Sequence, residues 1–181
     1  MLTGRLLVAL PHLLDPNFAR SVVLIIEHSP EQGAVGVILN RPSDTEVDEA
    51  LPDFAEAAVP PAVVFMGGPV QPTAAICLGR MRPGAETEGW RPVVDGVGVV
   101  DLSETSEGGV ELADARVFAG YSGWAPGQLE AELEEHSWFV LEASAADVLT
   151  SDPDSLWPAV LRRQGGVLSW VASFPEDPSM N

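Results

Sequence analysis

Gly120-Tyr121-Ser122-Gly123-Trp124-Ala125-Pro126-Gly127-Gln128-Leu129-Glu130 is the stretch on which the reading of this chain turns. Arg116 to Ala119 before it reads as a short strand, and Gln128 to Glu135 after it as an amphipathic helix with Leu129 and Leu133 on its buried side. The glycines between them predict special backbone angles or the close approach of another segment. The order strand, glycine-rich turn, helix is therefore expected here.

Working outward, residues 4–10 and 21–28 are strongly apolar and read as strands. Ala34 to Asn40 returns after a turn at Pro30 to Gly33, which predicts a hairpin. Ser43 with Glu46 resembles a capping box opening a helix through Leu51. Residues 52–61, rich in alanine and proline, read as a surface connection. Ala62 to Met66 and Thr73 to Arg80 read as strands on either side of Gly67-Gly68-Pro69, and residues 82–91 as a loop. Asp95-Gly96 between valine pairs predicts a tight hairpin turn. Residues 103–109 are polar and expected to be mobile. Trp138 to Leu141 reads as a strand, Ser144 and Asp147 as the cap of a short helix, and Pro153 as the first turn of a last helix ended by Gly165-Gly166. Residues 167–174 read as a final strand and 175–181 as a frayed acidic tail. Strands and helices do not alternate, which argues against a doubly wound parallel sheet. The expectation is one α+β domain over residues 1–181, with its core at about 4–170, a mixed, largely antiparallel sheet and peripheral helices.

Four blocks in order carry a family resemblance. They are Leu6 to Ala9 with Pro11, Asp15-Pro16-Asn17-Phe18 and Arg20-Ser21-Val22; Glu27-His28 with Gly33 to Pro42; Met66-Gly67-Gly68-Pro69-Val70; and the glycine-rich stretch from Gly120. Over Gly4 to about Gly166 the chain resembles the bacterial AlgH/YqgE family. The resemblance implies a complex sheet partly closed into a barrel. The family name implies a link to the regulation of alginate synthesis, an association rather than a mechanism. Relatives often carry a histidine after the position of Leu78, where this chain has Gly79, so no role of that histidine carries over.

Composition narrows the function more than it defines it. A chain of 181 residues with 46% hydrophobic content can bury a substantial core. No apolar run approaches the roughly 20 residues that cross a bilayer, and the N-terminus lacks a signal-like segment. The expectation is a cytoplasmic protein without membrane contact. Cys77 is the single cysteine; it sits in an apolar strand and reads as a buried, inert thiol. The 9 basic residues are all arginine, against 27 acidic ones. Without lysine the chain cannot be a P-loop nucleotidase, a Schiff-base enzyme, a Ser-x-x-Lys hydrolase or a protein kinase. A net charge of −18 with scattered arginines argues against direct nucleic-acid binding, which draws on neutralising phosphates.

Gly120-Tyr121-Ser122-Gly123-Trp124 approaches the nucleophile elbow Gly-x-Ser-x-Gly, but an indole replaces the last glycine and only His136 follows as a base. His12, Asp15 and His28 are a dispersed alternative, against which His28 bonding the hairpin turn is the structural reading. Three scattered histidines and one cysteine offer no closed metal site. Gly67-Gly68-Pro69 and the helix start at Gln128 have the form of phosphate cradles, but Glu130, Glu132, Glu134 and Glu135 crowd that helix with negative charge. Gly96-Val97-Gly98 lacks the rest of a dinucleotide fingerprint. The five tryptophans are expected mostly in the core, with Trp124 held near the surface.

The reading that follows is a non-enzymatic module, without cofactor or metal, that binds a protein or a small ligand and has an indirect regulatory role. The alternative is a small-molecule hydrolase using Ser122 or a dispersed His/Asp site. The candidate binding residues are Gly67, Gly68, Pro69, Gly120, Tyr121, Ser122, Gly123, Trp124, Gly127 and Gln128. The two glycine-rich segments are expected to approach each other and shape the principal cleft, with a purely structural crossing as the competing reading.

Overall fold

Leu6 and Val8 are buried in one apolar cluster, Leu7 and Ala9 in another, and Val22, Leu24 and Ile26 against Val23 and Ile25 repeat the division. Period-2 alternation with both faces apolar makes a strand covered on both sides. The computed structural model describes residues 1–86, 88–103 and 111–176. Its strands are β1 (Arg5–Ala9), β2 (Val22–Ser29), β3 (Gly33–Ile38), β4 (Pro42–Glu46), β5 (Val63–Met66), β6 (Val70–Met81), β7 (Trp90–Val94), β8 (Val97–Val100), β9 (Leu112–Trp124) and β10 (Trp138–Glu142). Five short helices accompany them: α1 (Val47–Ala50), α2 (Gln128–Glu134), α3 (Ala145–Val148), α4 (Leu156–Arg162) and α5 (Gly166–Val171). The sheet runs in the order β10-β1-β2-β3-β9-β6-β8-β7, with β5 beside β9 and β4 beside β5. All pairings are antiparallel except β5 with β9, so the sheet is mixed, and it curls into a half-barrel.

The curl brings the β7 end of the sheet back towards its start. Arg91 Nη1 donates to the Ile26 carbonyl at 3.2 Å, and the Asp95 carboxylate accepts from Ala145 N at 3.0 Å. The inner core holds Leu6, Val8, Leu24, Phe65, Leu78 and Phe118, plugged by Leu156, Trp157 and Val160 of α4. On the outer side α2 covers Leu7, Val23, Trp124 and Trp138, while α1 and the segment after it cover Val64, Cys77 and Val117. Burial pushes the Cys77 thiol up to about 12. Arg116 on β9 is also buried, with burial pulling it down to about 10, and among the described residues it forms no ion pair with a carboxylate. Its guanidinium donates to the carbonyls of Thr150 at 2.6 Å and Pro60 at 2.9 Å and lies over the Phe65 ring. That arginine fastens the segment between α1 and β5, and the end of α3, onto β9.

The β2–β3 hairpin, the Asp95-Gly96 hairpin and the Ser144–Asp147 capping box are as the sequence predicts. Three elements differ. Residues 167–174 are not a strand: α5 occupies 166–171, because Leu168, Val171 and Ala172 at helical spacing pack on the inner core. Ser43 does not open a helix. Its hydroxyl accepts from Thr45 N at 3.2 Å inside β4, and α1 begins only at Val47 without a side-chain cap. The stretch from Gly120 is not a turn, since β9 runs through it to Trp124 and the turn is confined to Ala125–Gly127. Residues 104–109 and 177–181, read above as mobile and frayed, lie outside the described residues. Among the described residues no helix is long and apolar enough to cross a membrane.

Candidate ligand cleft

The unusual feature of the sheet is a crossing. β5 lies along one edge of β9 (Phe65 beside Phe118, Met66 beside Ala119), whereas β6 lies along the other (Val70 beside Tyr121). The link between them is Gly67-Gly68-Pro69, which must pass over β9. With two interstrand spacings of roughly 9.5 Å and the two-residue offset from Ala119 to Tyr121, the link must cover roughly 12 Å, and the four steps from Met66 to Val70 reach roughly 13–14 Å when extended. The link is therefore taut and lies directly on the β9 backbone. A Cβ at Gly67 would stand 2.3 Å from the Gly120 oxygen, and one at Gly68 2.3 Å from the Tyr121 carbonyl. Gly120, with φ +72°, is equally constrained: its Cβ would lie 2.5 Å from the Gly68 oxygen. Hydrogen bonds pin the crossing, from Gly67 N to the Ala119 carbonyl (2.9 Å) and from Ile38 N and Ser122 Oγ to the Gly67 carbonyl (2.9 and 3.1 Å).

The ten candidate residues thus fall into two groups. Gly67, Gly68, Gly120, Tyr121 and Ser122 form the crossing, Pro69 leads out of it, and Gly123 continues β9. Trp124, Gly127 and Gln128 belong instead to the seat of α2. Trp124 is not near the surface; at 5% exposure it packs in the outer core against Phe18 and Trp138, with ring centroids 6.0 and 6.1 Å away. Its indole N–H and that of Trp138 both donate to Glu132 Oε2 at 2.9 Å. Gln128 bonds Ala125 N and Glu132, and Gly127 starts the helix at φ +79°. Trp170 departs from the core expectation for tryptophans, with 76% of its surface exposed.

Beside the crossing lies a cleft of about 150 Å³ lined by Asn17, Ile38, Arg41, Met66, Gly68, Pro69 and Pro72. Of these, only Gly68 and Pro69 are among the candidates. Asn17, Arg41 and Met66 stand in the segments that carry the family resemblance, a signal the candidate set did not use. Arg41 donates to the carbonyls of Pro16 (3.2 Å), Asn17 (2.6 Å) and Ala19 (3.1 Å), holding the loop after Asp15 against the sheet. Burial lowers its pKa, and the Asp15 charge offsets part of that effect. Two larger depressions lie elsewhere. One of about 600 Å³ is bounded by Ile76, Trp90, Arg91 and Val99, and one of about 540 Å³ by His12, Leu14, Arg20 and Phe174. The cleft at the crossing is not the largest, contrary to the expectation of a principal cleft there.

The other chemical candidates are kept apart. Ser122 is fully buried, and its hydroxyl is committed to a backbone carbonyl; β9 continues through it to Trp124, where an elbow would need a strand-to-helix turn. His28 does not bond the hairpin turn. Its Nδ1 accepts from Leu2 N at 3.0 Å, which leaves the proton on Nε2, facing Glu130 Oε1 at 2.9 Å. Asp15 is engaged by Asn17 N, and His12 lies exposed in the 540 Å³ depression. No group of three metal-ligating side chains occurs among the described residues.

A curled, mixed sheet with helices on both faces, and a glycine link crossing its longest strand, defines a half-barrel α+β protein. Residues 6–169 match the AlgH-like family model, and the chain belongs to that family. A UPF0301 protein of Streptomyces coelicolor is 49% identical over 99% of this chain and 95% of its own length, and one of Thermobifida fusca is 47% identical over 99% and 96%. Among solved structures, the crystal structure of a Corynebacterium diphtheriae protein superposes with a TM-score of 0.86 at 32% identity, covering 96% of this chain and 93% of that one. The solution structure of AlgH from Pseudomonas aeruginosa, a UPF0301 protein, gives 0.69 at 31% identity, covering 96% and 94%.

Proposed function

We propose that this protein is a non-enzymatic binding module and that the cleft beside the Gly67–Pro69 crossing is its ligand site. The observation that carries the reading is convergence. Asn17, Arg41, Met66 and Gly68 come from three segments far apart in sequence and meet at one cleft, directly against the fourth at Gly120 and Tyr121. Small-molecule sites combine an apolar wall with a few polar groups, and here Ile38, Met66, Pro69 and Pro72 stand beside Asn17 and Arg41. The crossing glycines serve this site by giving its floor a fixed backbone. A cytoplasmic setting and an indirect regulatory role belong to the same reading; the family name supports the second. The hydrolase alternative draws no support from the geometry around Ser122.

A fragment screen followed by amide and methyl NMR tests the reading. Saturable shifts are expected to gather at Asn17, Met66 and Gly68, and Met66→Glu, at a position 43% exposed, is expected to abolish them without changing the melting temperature. Hits that gather instead around Trp90 and Val99 would move the site to the 600 Å³ depression and overturn it.

A further inference from the structure

We infer that the group this cleft receives is a small carboxylate on a short apolar stem; this rests on the cleft being the binding site. Three features of its walls carry the inference. First, Arg41 is incompletely used. A guanidinium has five N–H groups, and the three bonds to Pro16, Asn17 and Ala19 leave two. Among the described residues no carboxylate lies within ion-pair distance of it, whereas Arg5, Arg80, Arg82, Arg91 and Arg163 each have one. Arg20, Arg116 and Arg162 also lack one, but Arg116 is saturated by carbonyls and a ring, Arg20 bonds the Phe174 carbonyl and lies over the Trp157 ring, and none of the three lines this cleft. Second, Asn17, an exposed residue whose backbone N–H and carbonyl are both bonded, brings to the same cleft a side-chain amide that no described residue engages. The cleft thus offers a cation and an amide donor together. Third, the remaining wall is apolar, from Ile38, Met66, Pro69 and Pro72.

Size then limits the ligand. At about 150 Å³ the cleft is smaller than the roughly 300–1,000 Å³ of sites that enclose a drug-sized ligand, which suits a short acid or the end of a chain rather than a nucleotide. A carboxylate matches the planar fork of a guanidinium and makes charge-assisted bonds with it. The net charge of −18 does not forbid this, because repulsion from distant carboxylates is screened over about 8 Å at physiological ionic strength; Asp15, whose charge already acts on Arg41, is a near carboxylate with which an incoming anion competes. The same chemistry is presented by a free short-chain acid and by the C-terminus of a peptide ending in a small apolar residue.

The test uses the full chain labelled with ¹³C-methyl methionine, with the Met66 signal assigned through Met66→Leu. Butyrate, butyramide, a tetrapeptide ending in Ala-Val with a free carboxylate, and its C-terminal amide are titrated at neutral pH. The expected result is a saturable Met66 shift with the two acids and affinity at least about tenfold weaker for the two amides. Asn17→Ala should weaken acid binding several-fold at unchanged melting temperature; it is the cleaner variant, since Arg41 also holds the loop. A peptide acid that binds about tenfold tighter than butyrate would name a chain terminus as the source, and the reverse order a free acid. Equal binding of acids and amides would overturn the carboxylate while leaving the cleft a binding site. No saturable shift with any of the four would overturn the inference and leave the cleft to be judged by the fragment screen.

Discussion

The crossing at Gly67-Gly68 and the turn into α2 at Gly127 lie within one glycine-rich neighbourhood, yet their glycines answer to different physics. At the crossing a side chain has nowhere to go, because backbone atoms stand 2.3–2.5 Å from where Cβ would be at Gly67, Gly68 and Gly120. At Gly127 nothing lies within 4 Å, and only the backbone angle, φ +79°, favours glycine. The lesson is that glycine density marks constraint without saying of which kind. Contact between two backbones makes scaffold, whereas a free turn makes only a bend. The proposed ligand cleft sits beside the first kind.

Trp124, which joins the two regions, should give the largest effect. Trp124→Ala removes a buried ring and one of the two indole donors to Glu132, and a loss of about 3–5 kcal/mol is expected in denaturant unfolding. A loss below about 1 kcal/mol would mean the ring is not part of the core. Gly68→Ala comes next, at about 3 kcal/mol, since neither β9 nor the taut link can yield without breaking bonds. Gly127→Ala should cost about 1 kcal/mol, the backbone term alone. If it matched Gly68→Ala, the distinction between the two regions would collapse. Gly123→Ala sharpens the comparison from inside the motif: its Cβ would meet Tyr121 at 3.5 Å, an ordinary contact, so its melting curve should stay within about 0.5 kcal/mol of the parent.

The smallest effect concerns pH and the turn side only. The Glu130 carboxyl is held below its ordinary value of 4.5, first by its own backbone amide and then by His28. A folded value below the unfolded one gives stability that is present above 4.5 and is lost as pH falls through the folded value. The melting-temperature gap between the parent and Glu130→Gln should therefore narrow below that pH, while Gly68→Ala shows no such trend. A gap that widens on acidification would reverse the assigned sign.

Much of this was legible in the sequence because it is local. The short, strongly apolar runs of β1 and β2, the Asp95-Gly96 turn, and Ser144 three residues before Asp147 each write their structure within a few positions. The family resemblance was legible as well, since four short blocks in order suffice. The misreadings came where a local signal had two solutions. Residues 167–174 carry β-branched and aromatic residues, yet their burial follows helical spacing on α4. The stretch from Gly120 looked like a turn because of its glycine density, but here a strand absorbs the positive φ of Gly120 at an irregular pairing with β6.

By itself the sequence determined the α+β class, the family, the inert Cys77, and the chemistries that a chain without lysine cannot perform. Tertiary structure decided where the proposed site lies. That Gly67-Gly68-Pro69 crosses β9, that Trp124 turns inward, and that Asn17 and Arg41 meet Met66 beside the crossing all depend on the order of strands in the sheet. Strand order is set by which apolar faces bury one another across long sequence separations, and no window of a few residues contains that information.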